Sequence, residues 1–312
     1  WIDTIIVRPP PRPGLDPRQG AVPRRGYPLP RQTGRRNSPI SYKSILVNLD
    51  IDGPAEPVVK AAVELAQRSG ARLIGFCAAD AYLPVTGPEG VALATEVMQQ
   101  MREDDERRFK ELRAEFERLV AGAVETGWRQ ATEGPTYALV QMARTADLIV
   151  TQARRGATTG DRARAADPGS VALQAGRPLL VVGAGTEQRV GRKVVVAWKD
   201  TKEARRAVFD AVPLLQDAND VVVATVASTI DQWAREGIAD VVSFLARHGV
   251  ASRSETVESH RGSESLVELI DRHDADLVVS GAYGHSRLRE WAFGGVTRSL
   301  LDEIRLNRFM SN

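Results

Sequence analysis

Short apolar runs alternate along this chain with stretches whose apolar positions recur every three or four residues. A bounded apolar run reads as a buried strand, and a 3.6-residue period reads as an amphipathic helix. SILVNL (44–49) is the first strand, ending at Asp50. After a turn with Asp52, Gly53 and Pro54, Val58, Ala62, Leu65 and Ala66 mark one face of a helix that stops at Gly70. ARLIGFCAA (71–79) is a second strand, so the unit implies parallel pairing with a right-handed crossover. Residues 84–90 read as loop and 91–124 as one long or two broken helices, with Met98, Met101, Phe109, Leu112, Phe116 and Leu119 facing the core. A short strand is expected at 128–132, a helix at 137–145, a strand at ADLIVT (146–151), a helix at 169–176 and a fifth strand at RPLLVVGAG (177–185).

The plan then repeats. RKVVVAW (192–198) matches the first strand, and TKEARRAVFDAVPLL (201–215) matches the first helix, with Asp200 or Thr201 as its N-cap and Glu203 placed to close a capping box. DVVVATV (220–226) is a strand, 232–248 a helix shorter than its counterpart, and ASRSETVE (251–258) a strand. Residues 264–281 align with 136–152 through the shared ending Ala-Asp-Leu-[Ile/Val]-Val, which leaves 308–311 as the candidate fifth strand. A repeat of this length means two copies of one α/β domain rather than a solenoid.

Composition adds a leader. Residues 1–40 hold nine of the 17 prolines, eight Arg and two Asp, a net of +6, so the remainder carries a net of −4. A nucleic-acid-binding domain carries its positive charge on the fold itself, which argues against specific nucleic-acid binding. The leader has too little apolar area to offset its ordering entropy and reads as disordered. The chain opens on Trp1 instead of Met, which points to a processed, truncated or mis-assigned start and leaves open whether residues 1–40 belong to the native protein. No apolar run approaches the roughly 18 residues of a membrane helix, and residues 1–13 make a poor signal peptide. The single cysteine, Cys77, excludes an internal disulfide, fits a reducing, cytoplasmic compartment and reads as a buried thiol.

The candidate chemistry lies in residues 276–301. A strand runs to Gly281, followed by two residues, Gly284, nine residues, Gly294–Gly295–Val296–Thr297 and a helical apolar run. Glycines let backbone N–H groups approach an anion, and a helix N-terminus adds partial positive charge. The same glycines also serve simply to shape a long loop. An open α/β sheet binds ligands at the carboxyl ends of its strands, which is where this loop begins. No Walker A loop, no S-G-G-x-D-S loop and no G-x-S-x-G elbow is present, and the four His (248, 260, 273 and 285) lack metal-ligand spacing. Catalysis is therefore not expected, though slow ATP hydrolysis stays open, and no metal is expected.

Fourth strand followed by G-x2-G-x9-G, with ILVNLD at the opening and GRPLLVV at the close of the first copy, resembles the universal stress protein family. The resemblance covers residues 43–311 and implies two Rossmann-like, adenine nucleotide alpha hydrolase-like domains in tandem. Each would carry a five-stranded parallel sheet of order 3-2-1-4-5 and pair with the other through the fifth strand. The division expected is a leader at 1–41, a first domain at 42–185 and a second at 192–312. The internal pair permits a monomer, and a homodimer would need another surface.

The resemblance further implies an ATP site in the second copy. Gly281 and Gly284 would admit the phosphates, Gly294 and Gly295 would supply N–H donors at the helix start, and Ala197 would lie by the base. His285, Ser286 and Arg287 would add side-chain contacts. Two positions depart from the family pattern. Gly295 stands where Ser or Thr is usual, with Thr297 the nearest hydroxyl, and Lys199 occupies the slot of the adenine-side Asp. In the first copy Asp50 matches that Asp, but Gln152 and Arg155 replace the two glycines, so the copy reads as degenerate. Arg154, Arg155, Arg162 and Arg164 cluster in its loop, as an anion attractor or as a solvated basic loop. The alternative to a nucleotide-binding stress protein is a nucleotide-free interaction protein with the same fold.

Overall fold

Hydrophobic alternation becomes a single sheet with helices on both faces. The computed structural model describes residues 41–81, 91–153, 162–184, 190–282 and 306–312, which all belong to one compact unit. The expected leader lies outside them. The first copy runs β1 (Ser44–Asn48), α1 (Glu56–Ser69), β2 (Arg72–Ala78), α2 (Val91–Val120), β3 (Thr126–Ala131), α3 (Pro135–Met142), β4 (Leu148–Gln152), α4 (Pro168–Gln174) and β5 (Leu179–Val182). The second runs β6 (Lys193–Ala197), α5 (Lys202–Leu215), β7 (Asp220–Ala227), α6 (Gln232–Arg247), β8 (Arg253–Glu258), α7 (Gly262–Arg272), β9 (Leu277–Gly281) and β10 (Asn307–Ser311). The stretch 91–124 holds one helix, ending at Val120, with Phe109, Leu112 and Phe116 fully buried and Met98 and Met101 half-buried. Gly70 ends α1 in the left-handed region (φ 62°), where a side chain would be strained.

The sheet order is β3-β2-β1-β4-β5-β10-β9-β6-β7-β8, which is 3-2-1-4-5 followed by the same order reversed. Pairing is parallel throughout except at the seam, where β10 runs antiparallel to β5 and sets Phe309 opposite Leu180. The poorly patterned stretch 308–311 is therefore a central strand. It is the expected fifth strand, extended by Asn307, and its polar residues blur the apolar pattern because they serve the seam. Fully buried Asn307 accepts the Gly183 N–H (2.9 Å) and donates to the Asp276 carbonyl (2.8 Å), and Ser311 donates to Asp210 on α5 (3.0 Å).

One apolar core spans both copies, from α1 and α2 through β1 and β4 to α5, α6 and β9. Polar ties reinforce it: Tyr42 donates to the Asp210 carbonyl (2.7 Å), and Arg68 reaches Asp217 and the Val190 carbonyl (3.0 Å each). Cys77 is fully buried, and burial pushes its thiol far above the usual range, so it is not a nucleophile.

The repeated Ala-Asp-Leu also has a structural cause. Asp147 accepts the N–H groups of Lys43 (2.8 Å) and Ser44 (3.0 Å), and Asp276 accepts those of Gly191 (2.9 Å), Arg192 (2.9 Å) and Lys193 (3.4 Å). In each copy this carboxylate anchors the entry of the first strand to the fourth. Replacing Asp276 by Ala orphans those donors and is expected to lower unfolding free energy by about 3 kcal/mol, measured by urea titration.

Candidate functional site

In the second copy β6 and β9 lie side by side, pairing Ala197 with Ser280, so their carboxyl ends open at one edge. Gly281 closes β9 there. A Cβ on Gly281 would fall 2.6 Å from the Ala204 nitrogen and 2.9 Å from Glu203 Cβ, so the residue is glycine because the first turn of α5 rests on it. The helix thereby brings its N-terminus to the start of the glycine loop, where its dipole favours an anion. Thr201 is the N-cap, accepting the Ala204 N–H (3.2 Å). The expected capping box does not form. With Thr201 as cap, Ala204 takes the third helical position and Glu203 falls one short. Glu203 is instead buried against Gly281 at 4% exposure, with Lys202 3.5 Å from its carboxylate. No feature of the sequence distinguished this buried carboxylate from a surface glutamate.

Of the residues expected to hold a ligand, Ala197 is half-buried at the end of β6, Lys199 is exposed beside it, and Gly281 lies across from them. Gly284, His285, Ser286, Arg287, Gly294, Gly295 and Thr297 lie outside the described residues, as do Arg154 and Arg155. Trp198 turns away from Lys199 and packs beneath α6, its indole nitrogen 3.8 Å from where a Gly237 side chain would begin. Its ring is packed at 8% exposure, and its backbone is held by the main-chain N–H donating to the Ala224 carbonyl (2.7 Å) and by Thr225 donating to the Trp198 carbonyl (3.1 Å).

The first copy fills its own site. Asp50 accepts the Ala166 N–H (3.3 Å) and a bond from Asn48 (3.2 Å), and the Asp80 N–H donates to the Ala163 carbonyl (2.8 Å). Both bonds from 163–166 draw that segment over the ends of β1 and β2. Arg164 is neither a solvated loop cation nor an open anion attractor. It bonds Asp52 beyond β1 and the buried Asp105 on α2 (2.9 Å), and the bond to Asp52 foremost holds its guanidinium charge more firmly than usual. At α4, Asp167 accepts the N–H groups of Gly169 (3.3 Å) and Ser170 (3.1 Å), together with the Ser170 hydroxyl. The donors that a Gly-Ser pair could offer a phosphate are already satisfied by the chain's own carboxylate.

The universal stress protein family model matches residues 41–182 and again 191–306. The chain belongs to the universal stress protein family. Among solved structures, this universal stress protein is similar to one from Archaeoglobus fulgidus DSM 4304, at 11% identity and TM-score 0.62, over 86% of this chain and 96% of that one. It is also similar to a putative universal stress protein from Pseudomonas aeruginosa UCBPP-PA14, at 16% identity and TM-score 0.54, over 86% of this chain and 93% of that one. Such identities establish the shared fold alone. No curated protein matches the sequence. Among the described residues no helix is long and apolar enough to cross a membrane.

The Arg164 clamp gives a direct test. Arg164→Met strands buried Asp105 and is expected to destabilise the protein by about 3 kcal/mol. Adding Asp105→Leu removes the stranded charge and is expected to recover most of that loss in urea unfolding, as a double-mutant cycle reads directly.

Proposed function

We propose that this universal stress protein binds an adenine nucleotide, ATP in the first instance, at the second copy only, and acts as a non-catalytic, cytoplasmic nucleotide-responsive protein in the stress response. Gly281 and Gly284 admit the phosphates, Gly294 and Gly295 supply N–H donors, Thr297 and His285 add side-chain contacts, and Ala197 and Lys199 border the base. The observation that carries this reading is the contrast between the copies. Asp167 caps Gly169 and Ser170 in the first, whereas the position two residues before Gly294 in the second is Ala292, which has no carboxylate to compete with a phosphate. The α5 N-terminus beside Gly281 adds favourable partial charge, opposed in part by buried Glu203.

A second reading, a nucleotide-free interaction protein, is favoured by one specific departure. A Lys ammonium has no acceptor for an adenine amino group, and Lys199 holds the slot where the family carries Asp. Calorimetric titration with ATP separates the two. Binding is expected for the natural sequence, with a dissociation constant raised at least about tenfold in Gly284→Glu, whose carboxylate would repel the phosphates. No heat with the natural sequence, or equal heat with both, supports the nucleotide-free reading. Mass spectrometry of the purified protein for a retained nucleotide is the companion measurement.

A further inference from the structure

A groove of about 390 Å³ runs between α5 and α6, which is within the size range of small-molecule sites. Its apolar walls are aromatic: Trp198 at the floor, Phe244 along α6, and Trp233 at the mouth. Trp233 is 70% exposed, an unusual position for the largest apolar side chain unless something covers it. Trp233, Gly237, Val241 and Phe244 follow helical spacing, so one stripe of α6 faces the groove. A Cβ on Gly237 would make only ordinary contact with Trp198, so sterics do not require glycine in this helix interior, where it costs stability. Its effect is to keep the groove floor open.

The rim is acidic. Asp200, Glu236 and Asp240 line it, and Arg205 neutralises only Asp200, through a bond of 2.6 Å. Glu236 accepts a neutral amide bond from Gln232 (2.6 Å), and Asp240 has no hydrogen-bond or ion-pair partner among the described residues. Glu236 and Asp240 stand four apart on one helix, an arrangement that destabilises the helix unless a cation lies between or above them. Phosphate-bearing ligands are repelled by such a rim. Aromatic faces beneath uncompensated carboxylates instead attract an organic cation, because ring quadrupole and carboxylate act in the same direction on a weakly hydrated positive group.

We propose that the α5–α6 groove binds a small organic cation, an alkylated ammonium group on an apolar body, held between Trp198, Trp233 and Phe244 and neutralised by Glu236 and Asp240. This proposal does not depend on the nucleotide site proposed above.

The test is calorimetric titration of the full chain with choline and with its neutral isostere 3,3-dimethylbutan-1-ol. Choline is expected to bind saturably and at least about tenfold more tightly than the alcohol, the ratio that one cation–π contact plus a carboxylate supports. Trp233→Ala and Asp240→Asn, both at exposed positions and checked for intact folding by circular dichroism, are each expected to weaken choline about tenfold. Gly284→Glu and saturating ATP are expected to leave it unchanged. The proposal is overturned by absence of saturable choline binding, by equal binding of the neutral isostere, by unchanged binding in both groove variants, or by displacement with ATP, which would make the groove part of a nucleotide site.

Discussion

The antiparallel ladder between β5 and β10 is the constraint on which the rest of the molecule depends. A five-stranded parallel sheet ends in an edge whose N–H and C=O groups need partners, and two copies meeting edge to edge satisfy each other. The seam joins the sheets into ten strands and lets α1 of the first copy and α5 of the second contribute to one apolar core. Asn307 makes the junction specific, since its amide serves Gly183 of one copy and Asp276 of the other. Through the Asp276 main-chain carbonyl it also links the seam to the residue whose carboxylate anchors β6, so the start and end of the second domain are fastened at one place.

Around this symmetric frame the two copies have diverged in what occupies the carboxyl ends of their strands. The first uses its own groups: Arg164 spans Asp52 and Asp105, and Asp167 satisfies the α4 N-terminus. The helix N-terminus remains an anion site in the physical sense, with the anion supplied internally. In the second copy the corresponding carboxylate is absent and the glycine framework remains. In the first half the helix N–H donors are thus used for stability.

The neighbouring α5–α6 groove rests on a different residue. Trp198 enlarges the end of β6 and is driven under α6, where it becomes the floor of an aromatic recess. The two residues before Lys199 therefore serve different surroundings: Ala197 sits at the sheet end facing β9, and Trp198 belongs to the interhelical core.

The apolar periodicity by itself determined the two-copy α/β plan, because burying one stripe per helix and both faces of each central strand leaves few other patterns for these elements. The family motif then implied the strand order and the pairing of fifth strands, both of which the sheet displays. Local pattern failed where a residue's role depended on a distant partner. Asn307 and Arg308 give no sign of full burial until the expected fifth strand is seen in the middle of the sheet. The sequence shows no packing reason for glycine at Gly281, which the first turn of α5 supplies by resting on it, and Glu203 reads as a cap until the same contact buries it. Arg164 resembles a solvated loop charge in one dimension and is found bonded to Asp52 and Asp105. Hydrophobic burial is repeated along the chain and so is legible locally. Hydrogen-bond and ion-pair partners lie tens to more than a hundred residues away, and only tertiary packing selects them.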